Sequence, residues 1–356
     1  MNTETENHID ELLKHSGLFS SEDLLQKNKE QLNFSNENIL ITGASGTIGS
    51  GLVNQLVRCK FKKLILIDNA ESPLYELIKS LEFEEKSNIH FKLIDITNKE
   101  SLQHVFAEHK PSIVFHAAAY KHVPLMETHA ICAVNTNVFG TKLLADLSYE
   151  YKTKKFIFIS TDKAVNPINV MGISKKIAEN YLHYLNTKNN TRFIITRFGN
   201  IFGSNGSVVP LLKKQIEFEQ PLTITDKLMS RYFISKQKAC GLILELAKNN
   251  NYNNNAYTFN MGKPILISDI IERLIIKCGK QKNNLKIKVT GLRPGEKIHE
   301  ELKSNDEMLI PTDNDGILII KQHGTPETNE INFNRLKKIT PKTSNKEIKS
   351  ILKSYL

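Results

Sequence analysis

Residues 38–57 constrain the fold more than any other part of the chain. NILITG (38–43) is a short apolar run that passes straight into glycines at 43, 46 and 49, and GSGLVNQLV (49–57) continues as a helix. A buried strand, a glycine loop and a helix in immediate succession open a dinucleotide-binding unit. Each glycine has its own reason. Gly43 permits the tight turn, Gly46 lets the backbone approach a pyrophosphate, and Gly49 allows the helix to close on the strand, while the helix N-terminus offers free N–H groups to the anion. Ser45, Thr47 and Ile48 lie between the glycines and share that contact surface. The spacing is Gly-x-x-Gly-x-x-Gly rather than the Gly-x-Gly-x-x-Gly of most dehydrogenases, so its place between strand and helix carries the argument.

Further apolar runs extend the pattern. KLILID (63–68) ends in Asp68, about twenty residues after the loop, where a carboxylate accepts both ribose hydroxyls and repels a 2′-phosphate. This favours NAD over NADP; a helix cap after Ser72-Pro73 is the alternative. A strand over 90–94 ends at Asp95 and Ile96, placed to meet an adenine. SIVFHAAA (112–119) runs into Ala117, Ala118 and Ala119, small enough for a flat cofactor to lie on the backbone. Lys121 and His122 follow, as substrate contacts or as exposed loop residues. In the helix expected over 129–151, Asn135 is the residue expected to brace the site's backbone.

Residues 156–175, FIFISTDKAVNPINVMGISK, hold the chemistry. A buried strand ends in Thr161, Asp162 and Lys163, at the sheet edge where open α/β folds bind ligands. A hydroxyl, an acid and an amine together suit more than one proton transfer, although the same triplet can cap a helix. Met171 and Lys175 are four apart and share a helix face. Lys175 suits a cofactor ribose. A proton-exchanging tyrosine is usual at the first of these positions, and methionine cannot replace that function.

The fold expected is α/β: a Rossmann-like doubly wound parallel sheet over 38–200, a smaller substrate-binding lobe over 201–330 holding strands at 257–261 and 285–290, a polar N-terminal extension (1–37) packed on the main domain, and a basic helical tail (331–356). In the second lobe, GLRPGEKIHEEL (291–302) sets Arg293 and Lys297 about a Pro-Gly turn, a cation pair suited to a diphosphate or an ordinary turn. The net charge of +10 comes from lysines spread along the chain, with no dense basic block, so nucleic acid is not the expected partner. The four cysteines are far apart and lack metal-ligand spacing, so no metal is expected. The polar N-terminus and the lack of a long apolar run predict a cytoplasmic protein without a membrane span.

TGASGTIG, HAAAYKHVPLME, STDKAVNPINVMG with Lys175, GNIFGSNGSV and LRPGEKIHEEL, in this order, resemble the UDP-N-acetylglucosamine 4,6-dehydratases of bacterial surface-glycan synthesis, in the extended short-chain dehydrogenase/reductase superfamily. The resemblance spans about residues 20–325. It implies oxidation of UDP-GlcNAc at C4 by NAD(P)+, loss of water across C5 and C6, and reduction at C6. Thr161 would hold the 4-oxygen, Asp162 would protonate the departing 6-hydroxyl, Lys163 would be the C5 base and Lys175 would bind the nicotinamide ribose. Asn200, Arg293 and Glu296 would contact the UDP portion, with Arg231 at its phosphates or the sugar. Met171 resembles the branch that retains C5 configuration, and SSEDLLQK (20–27) resembles the linker of its longer members, implying a soluble short form. Homo-oligomers are the family's habit. The alternatives are a C5-inverting dehydratase, a sugar 4-epimerase, or a non-catalytic NAD- and UDP-sugar-binding regulator.

Overall fold

In the computed structural model, which describes residues 1–19, 32–81, 87–253, 255–281, 285–323 and 329–356, the apolar runs build a nine-stranded sheet. Its strands are β1 (Asn33–Thr42), β2 (Lys60–Asp68), β3 (Ile89–Leu93), β4 (Ile113–His116), β5 (Lys155–Thr161), β6 (Arg192–Phe198), β7 (Ala256–Phe259), β8 (Glu307–Pro311) and β9 (Ile317–Gln322). Their spatial order is β8-β9-β7-β6-β5-β4-β1-β2-β3. Neighbours from β3 to β7 are parallel, whereas β9 runs antiparallel to β7 and β8 antiparallel to β9. The chain starts at β1, moves out to β3 and returns to β4 on the other side. That reversal opens a crevice at the carboxyl ends of the strands.

Alternation along the strands fills a core on each face. Phe156 and Phe158 of β5 enter one cluster with Leu144 and Leu182, and Ile157 enters the other with Leu52 and Ile243. The helices that matter for the site are α1 (Thr3–Lys14), α2 (Thr47–Leu56), α3 (Val170–Asn186), α4 (Lys236–Lys248) and α5 (Ile267–Lys277). The sheet is the doubly wound Rossmann-like arrangement expected.

A third core belongs to the smaller lobe, where Val209, Leu212, Ile270 and Leu274 pack together and Leu222–Ile224 pairs with Ile287–Val289. Two local expectations change here. The strand expected at 257–261 joins the large sheet as β7 beside β6, because periodicity shows that a run is buried but not which sheet it completes. Likewise α4 lies on α2, where a Cβ on Gly51 would come within 2.6 Å of Cys240 Sγ.

The N-terminal segment also differs from expectation. Helix α1 packs on the smaller lobe, burying Ile9, Leu12 and Leu13 in its core, with Arg273 of α5 paired to Glu6 and Asp10. Residues 20–27, the SSEDLLQK stretch, lie outside the described residues. Beyond residue 330, Phe333, Leu336, Ile348 and Leu352 dock into the large domain's core, and Asn345 bonds the backbone at Thr128 and Ala130. Among the described residues no helix is long and apolar enough to cross a membrane.

Candidate active site

A cavity of about 1090 Å³ lies over the carboxyl ends of the strands and reaches from the glycine loop to the smaller lobe. Gly43, Gly46, Thr47, Ile48 and Gly49 line one end. Gly43 has φ +68°, and a Cβ there would lie 2.7 Å from Ala118 N; one on Gly49 would lie 2.0 Å from Gly43 O. At Gly46 the nearest atom is Gly43 O at 3.2 Å, and this residue caps α2 with no side chain, leaving the helix N-terminus open to the cavity. The cradle fits a pyrophosphate.

Ala117 and Ala119 line the cavity, while Ala118 packs on Gly43. Ser45, Asp68, Asp95 and Ile96 are not on its wall. Asp68 accepts Ser45 N–H at 2.9 Å, Ser45 Oγ–H at 2.5 Å and Ala70 N–H at 3.0 Å, so it ties the glycine loop to the end of β2. Asp95 is exposed and takes Thr97 N–H and Oγ1–H at 2.8 Å, and Ile96 is buried against Gly140.

At the centre, β5 ends in Thr161 and the chain turns through Asp162–Ala164 as one 3₁₀ turn capped by Thr161. The cap and the cluster are the same structure. Asp162 is fully buried; its Oδ1 accepts Thr161 Oγ1–H at 2.9 Å and Lys163 Nζ–H at 2.9 Å. Lys163 Nζ also donates to Asn200 Oδ1 at 3.1 Å. Thr161, Lys163 and Asn200 face the cavity, and Asp162 stands behind them.

Met171 and Lys175 line the same wall from α3, as their spacing requires. Lys175 Nζ stands 3.8 Å from the centre of the Phe158 ring. Burial lowers its ammonium to about 7, with Glu179 opposing that shift. Below it, Glu179 accepts Ser160 Oγ–H at 2.6 Å and Arg197 Nη2–H at 2.7 Å, and Arg197 bonds Glu307 at 2.8 Å, joining β5, α3, β6 and β8. Burial would raise the Glu179 carboxyl, but Arg197, Lys176 and Ser160 bring it down to about 2. His116, sealed between Thr42 and Thr141 at 2.8 Å each, is held well below its ordinary value by burial and by Lys175, so it is neutral.

The remaining expected contacts divide. Lys121 and His122 both line the cavity; Lys121 Nζ donates to Asn205 O at 3.0 Å. Burial lowers both, helped by Lys163 at Lys121 and by Lys121 at His122. Arg231 is buried and gives Nη1 and Nη2 to the carbonyls of Ser230, Ile298 and Lys297 at 2.7–2.8 Å, so its bonds hold the 297–298 backbone. Arg293 and Glu296 line the mouth as an ion pair at 2.6 Å. Lys297 forms no cation pair with Arg293 there; its Nζ donates to Val165 O at 3.0 Å and pins the turn after the cluster.

Four residues of the site were not assigned by sequence reasoning. Asn137, in a π-helical turn (Ala133–Gly140), clamps Tyr120 through its N–H at 2.9 Å and C=O at 3.0 Å and donates to Ser174 Oγ. It does what was expected of Asn135, which is exposed. Asn169 caps α3 through Gly172 N–H and donates to Gly295 O at 3.0 Å, and Glu127 accepts Val170 N–H at 2.8 Å, so the Arg293-Pro-Gly loop is seated on the helix that carries Lys175. Glu300 reaches the cavity wall and brings Oε1 to 3.9 Å from Lys163 Nζ. An acid pair in LRPGEKIHEEL was its only sequence signal.

Comparison with known proteins agrees with this arrangement. The family model described as polysaccharide biosynthesis protein matches residues 39–322. The chain is 41% identical over 300 residues to the capsular polysaccharide biosynthesis protein CapD of Staphylococcus aureus, a match that covers 81% of this chain and 49% of that one; this chain therefore spans about half of that relative. It is 34% identical to the UDP-N-acetylglucosamine 4,6-dehydratase (inverting) of Campylobacter jejuni, across 77% of this chain and 79% of that one, and 31% identical to a UDP-glucose 4-epimerase of Rickettsia rickettsii, across 77% and 80%. The X-ray structure of Pen from Bacillus thuringiensis superposes with a TM-score of 0.73 at 33% identity, covering 81% of this chain and 90% of that one. With its glycine cradle, doubly wound sheet and Met-x-x-x-Lys helix, the chain belongs to the polysaccharide biosynthesis protein family of the extended short-chain dehydrogenases/reductases.

Proposed function

We propose that the chain is a UDP-N-acetylglucosamine 4,6-dehydratase, making a UDP-2-acetamido-2,6-dideoxy-4-keto-hexose with C5 configuration retained, for surface-glycan synthesis. The observation that carries this reading is the Thr161–Asp162–Lys163 cluster, with Thr161 and Lys163 on the wall of a cavity that begins at a dinucleotide cradle and Asp162 hydrogen-bonded to both from behind. Binding alone does not need an acid and an amine together at the cavity; paired proton transfers need both.

Gly43, Gly46 and Gly49 would hold the pyrophosphate of NAD, Lys175 its nicotinamide ribose, and Asp68 at the end of β2 favours NAD over NADP. When bound, the nicotinamide supplies reversible uptake of a hydride. Thr161 Oγ1 meets the 4-oxygen, and its bond to Asp162 gives the 4-hydroxyl proton a path to that carboxylate. Met171 only packs. Lys163 faces C5. Lys121 and His122 border the sugar, and Asn200, Arg231, Arg293 and Glu296 border the nucleotide. Retention at C5 rests on Met171, and the cytoplasmic location and homo-oligomer on the family resemblance.

Mass spectrometry of UDP-GlcNAc incubated with the protein and NAD tests the reading. The expected product is lighter by one water. An isomer of unchanged mass would mark an epimerase, and unaltered substrate a binding protein.

A further inference from the structure

One carboxylate beside the site is shared by parts of the chain that lie far apart in sequence. Glu127 stands near the end of the short helix Val123–Thr128, and only 14% of its side chain is exposed. Its Oε1 accepts the N–H of Val170, the first residue of α3, at 2.8 Å. The same oxygen lies against the Arg293 loop, since a Cβ on Gly295 would stand 3.2 Å from it. Oε2 turns the other way and accepts Lys349 Nζ–H at 2.8 Å, from the tail helix Asn345–Lys353. Asn345, at the start of that helix, fastens the tail beside Glu127: it accepts Ala130 N–H at 3.0 Å and donates to Thr128 O at 2.7 Å.

We propose that Glu127, held by Lys349 of the C-terminal tail, is a positioning residue that sets the start of α3 and the Arg293 loop in one register, and so shapes the seat of the substrate's diphosphate. This rests on the dehydratase reading, in which Arg293 and Glu296 border the nucleotide.

The reasons are electrostatic and steric. The first N–H groups of a helix have no partner within it. Asn169 takes that of Gly172 and Glu127 that of Val170, and the helix dipole favours a carboxylate at this end. Met171 and Lys175 follow on the same helix, and Gly172 packs on the Lys163 carbonyl, so a shift of Val170 passes directly to the cavity wall. Gly295 has φ +82°, its carbonyl is bonded by Asn169 at 3.0 Å, and its lack of a side chain is what admits Asn169 and Glu127. Backbone therefore confines the Glu127 carboxylate on the Oε1 side, and the Lys349 ammonium confines it on the Oε2 side. Removing that ammonium frees the carboxylate to swing, while the tail keeps its apolar seat through buried Ile348 and Leu352. A part-exposed ion pair adds little to stability. If this one served the fold alone, its loss would leave binding and turnover as they were.

Calorimetric titration of the full chain with UDP, with NAD present, tests the proposal without turnover. Lys349→Met should weaken UDP binding by about tenfold, the loss of one well-placed hydrogen bond, and lower kcat for dehydrated product by about the same factor, with NAD affinity within about twofold of wild type. Its Tm should move little. Lys349→Arg, which keeps the charge, should recover part of both losses, and Lys346→Met, exposed on the same helix, should change neither quantity. In Glu127→Gln the losses should be at least as large, and adding Lys349→Met to it should cost no more than about twofold further, because both act through one contact.

Unchanged UDP affinity in Lys349→Met, a loss that falls equally on UDP and NAD, or full multiplication of the two single effects in the double variant overturns the proposal. Wild type that binds UDP but releases no dehydrated product overturns the dehydratase reading alone, since the UDP titrations still judge Glu127 and Lys349. Wild type that does not bind UDP overturns both.

Discussion

Gly172 gives the sharpest test of how the catalytic turn is held. It lies in the first turn of α3, one residue after Met171, and a Cβ there would sit 2.1 Å from Lys163 O and 3.0 Å from Lys163 C. Ordinary contact begins at 3.4 Å, so α3 and the Asp162–Ala164 turn must part by roughly 1.3 Å. The obstacle is backbone and cannot rotate aside. A displacement of about 1 Å at reacting groups costs on the order of 10²-fold in rate, and overpacking costs about 1–3 kcal/mol against a helix-propensity gain of about 1 kcal/mol for Ala over Gly. Gly172→Ala should therefore lower kcat for 6-methyl formation by about 10²-fold and lower Tm by a few degrees. The control is Gly241→Ala in α4, where the nearest atom to a new Cβ is Gln55 Oε1 at 3.8 Å. With room available, propensity alone acts and Tm should rise. Wild-type kcat in Gly172→Ala, with a Tm raised as in Gly241→Ala, would refute the reasoning.

Three further outcomes follow from the same geometry. Asn137→Ala removes both hydrogen bonds to the part-buried backbone of Tyr120 and should cost about 1–3 kcal/mol in urea unfolding, whereas exposed Asn135→Ala should stay within about 0.5 kcal/mol. Glu179, at about 2 in the folded protein against an ordinary 4.5, contributes stability that is fully present above pH 4.5 and is lost as pH falls toward 2. That loss is on the order of 3 kcal/mol and should disappear from the acid-unfolding profile of Glu179→Gln. Asp68→Ala should narrow the preference for NAD+ over NADP+ in calorimetric titration by about tenfold; an unchanged ratio would remove Asp68 from the ribose.

What was legible in the sequence was local. The strand–glycine–helix order of 38–57 and the polar end of β5 follow from periodicity and from residue type, and both stand where expected. Facing and partnership were harder to read. In an α-helix Asn135 and Asn137 point to nearly opposite sides, and the π-helical turn that settles which one faces inward has no compositional signature. In LRPGEKIHEEL, Glu300 looks like an ordinary surface charge and Lys297 like the second cation beside Arg293. Glu300 is buried and Lys297 half-buried because Gly295 seats that loop on Asn169 and Glu127, contacts that cross more than a hundred residues of chain. Strand β7 was seen as a strand but placed in the wrong sheet for a related reason, since its partner β6 is sixty residues away.

The account's central claim is that this cavity removes water from a UDP-hexosamine by proton transfers at Thr161, Asp162 and Lys163. A proton NMR time course with UDP-GlcNAc and NAD in D2O tests it most directly. The predicted result is a growing C6 methyl signal with deuterium at C5 and couplings that show retained C5 configuration. A substrate spectrum that never changes, or conversion to a 4-epimer with its 6-hydroxyl intact, would contradict it.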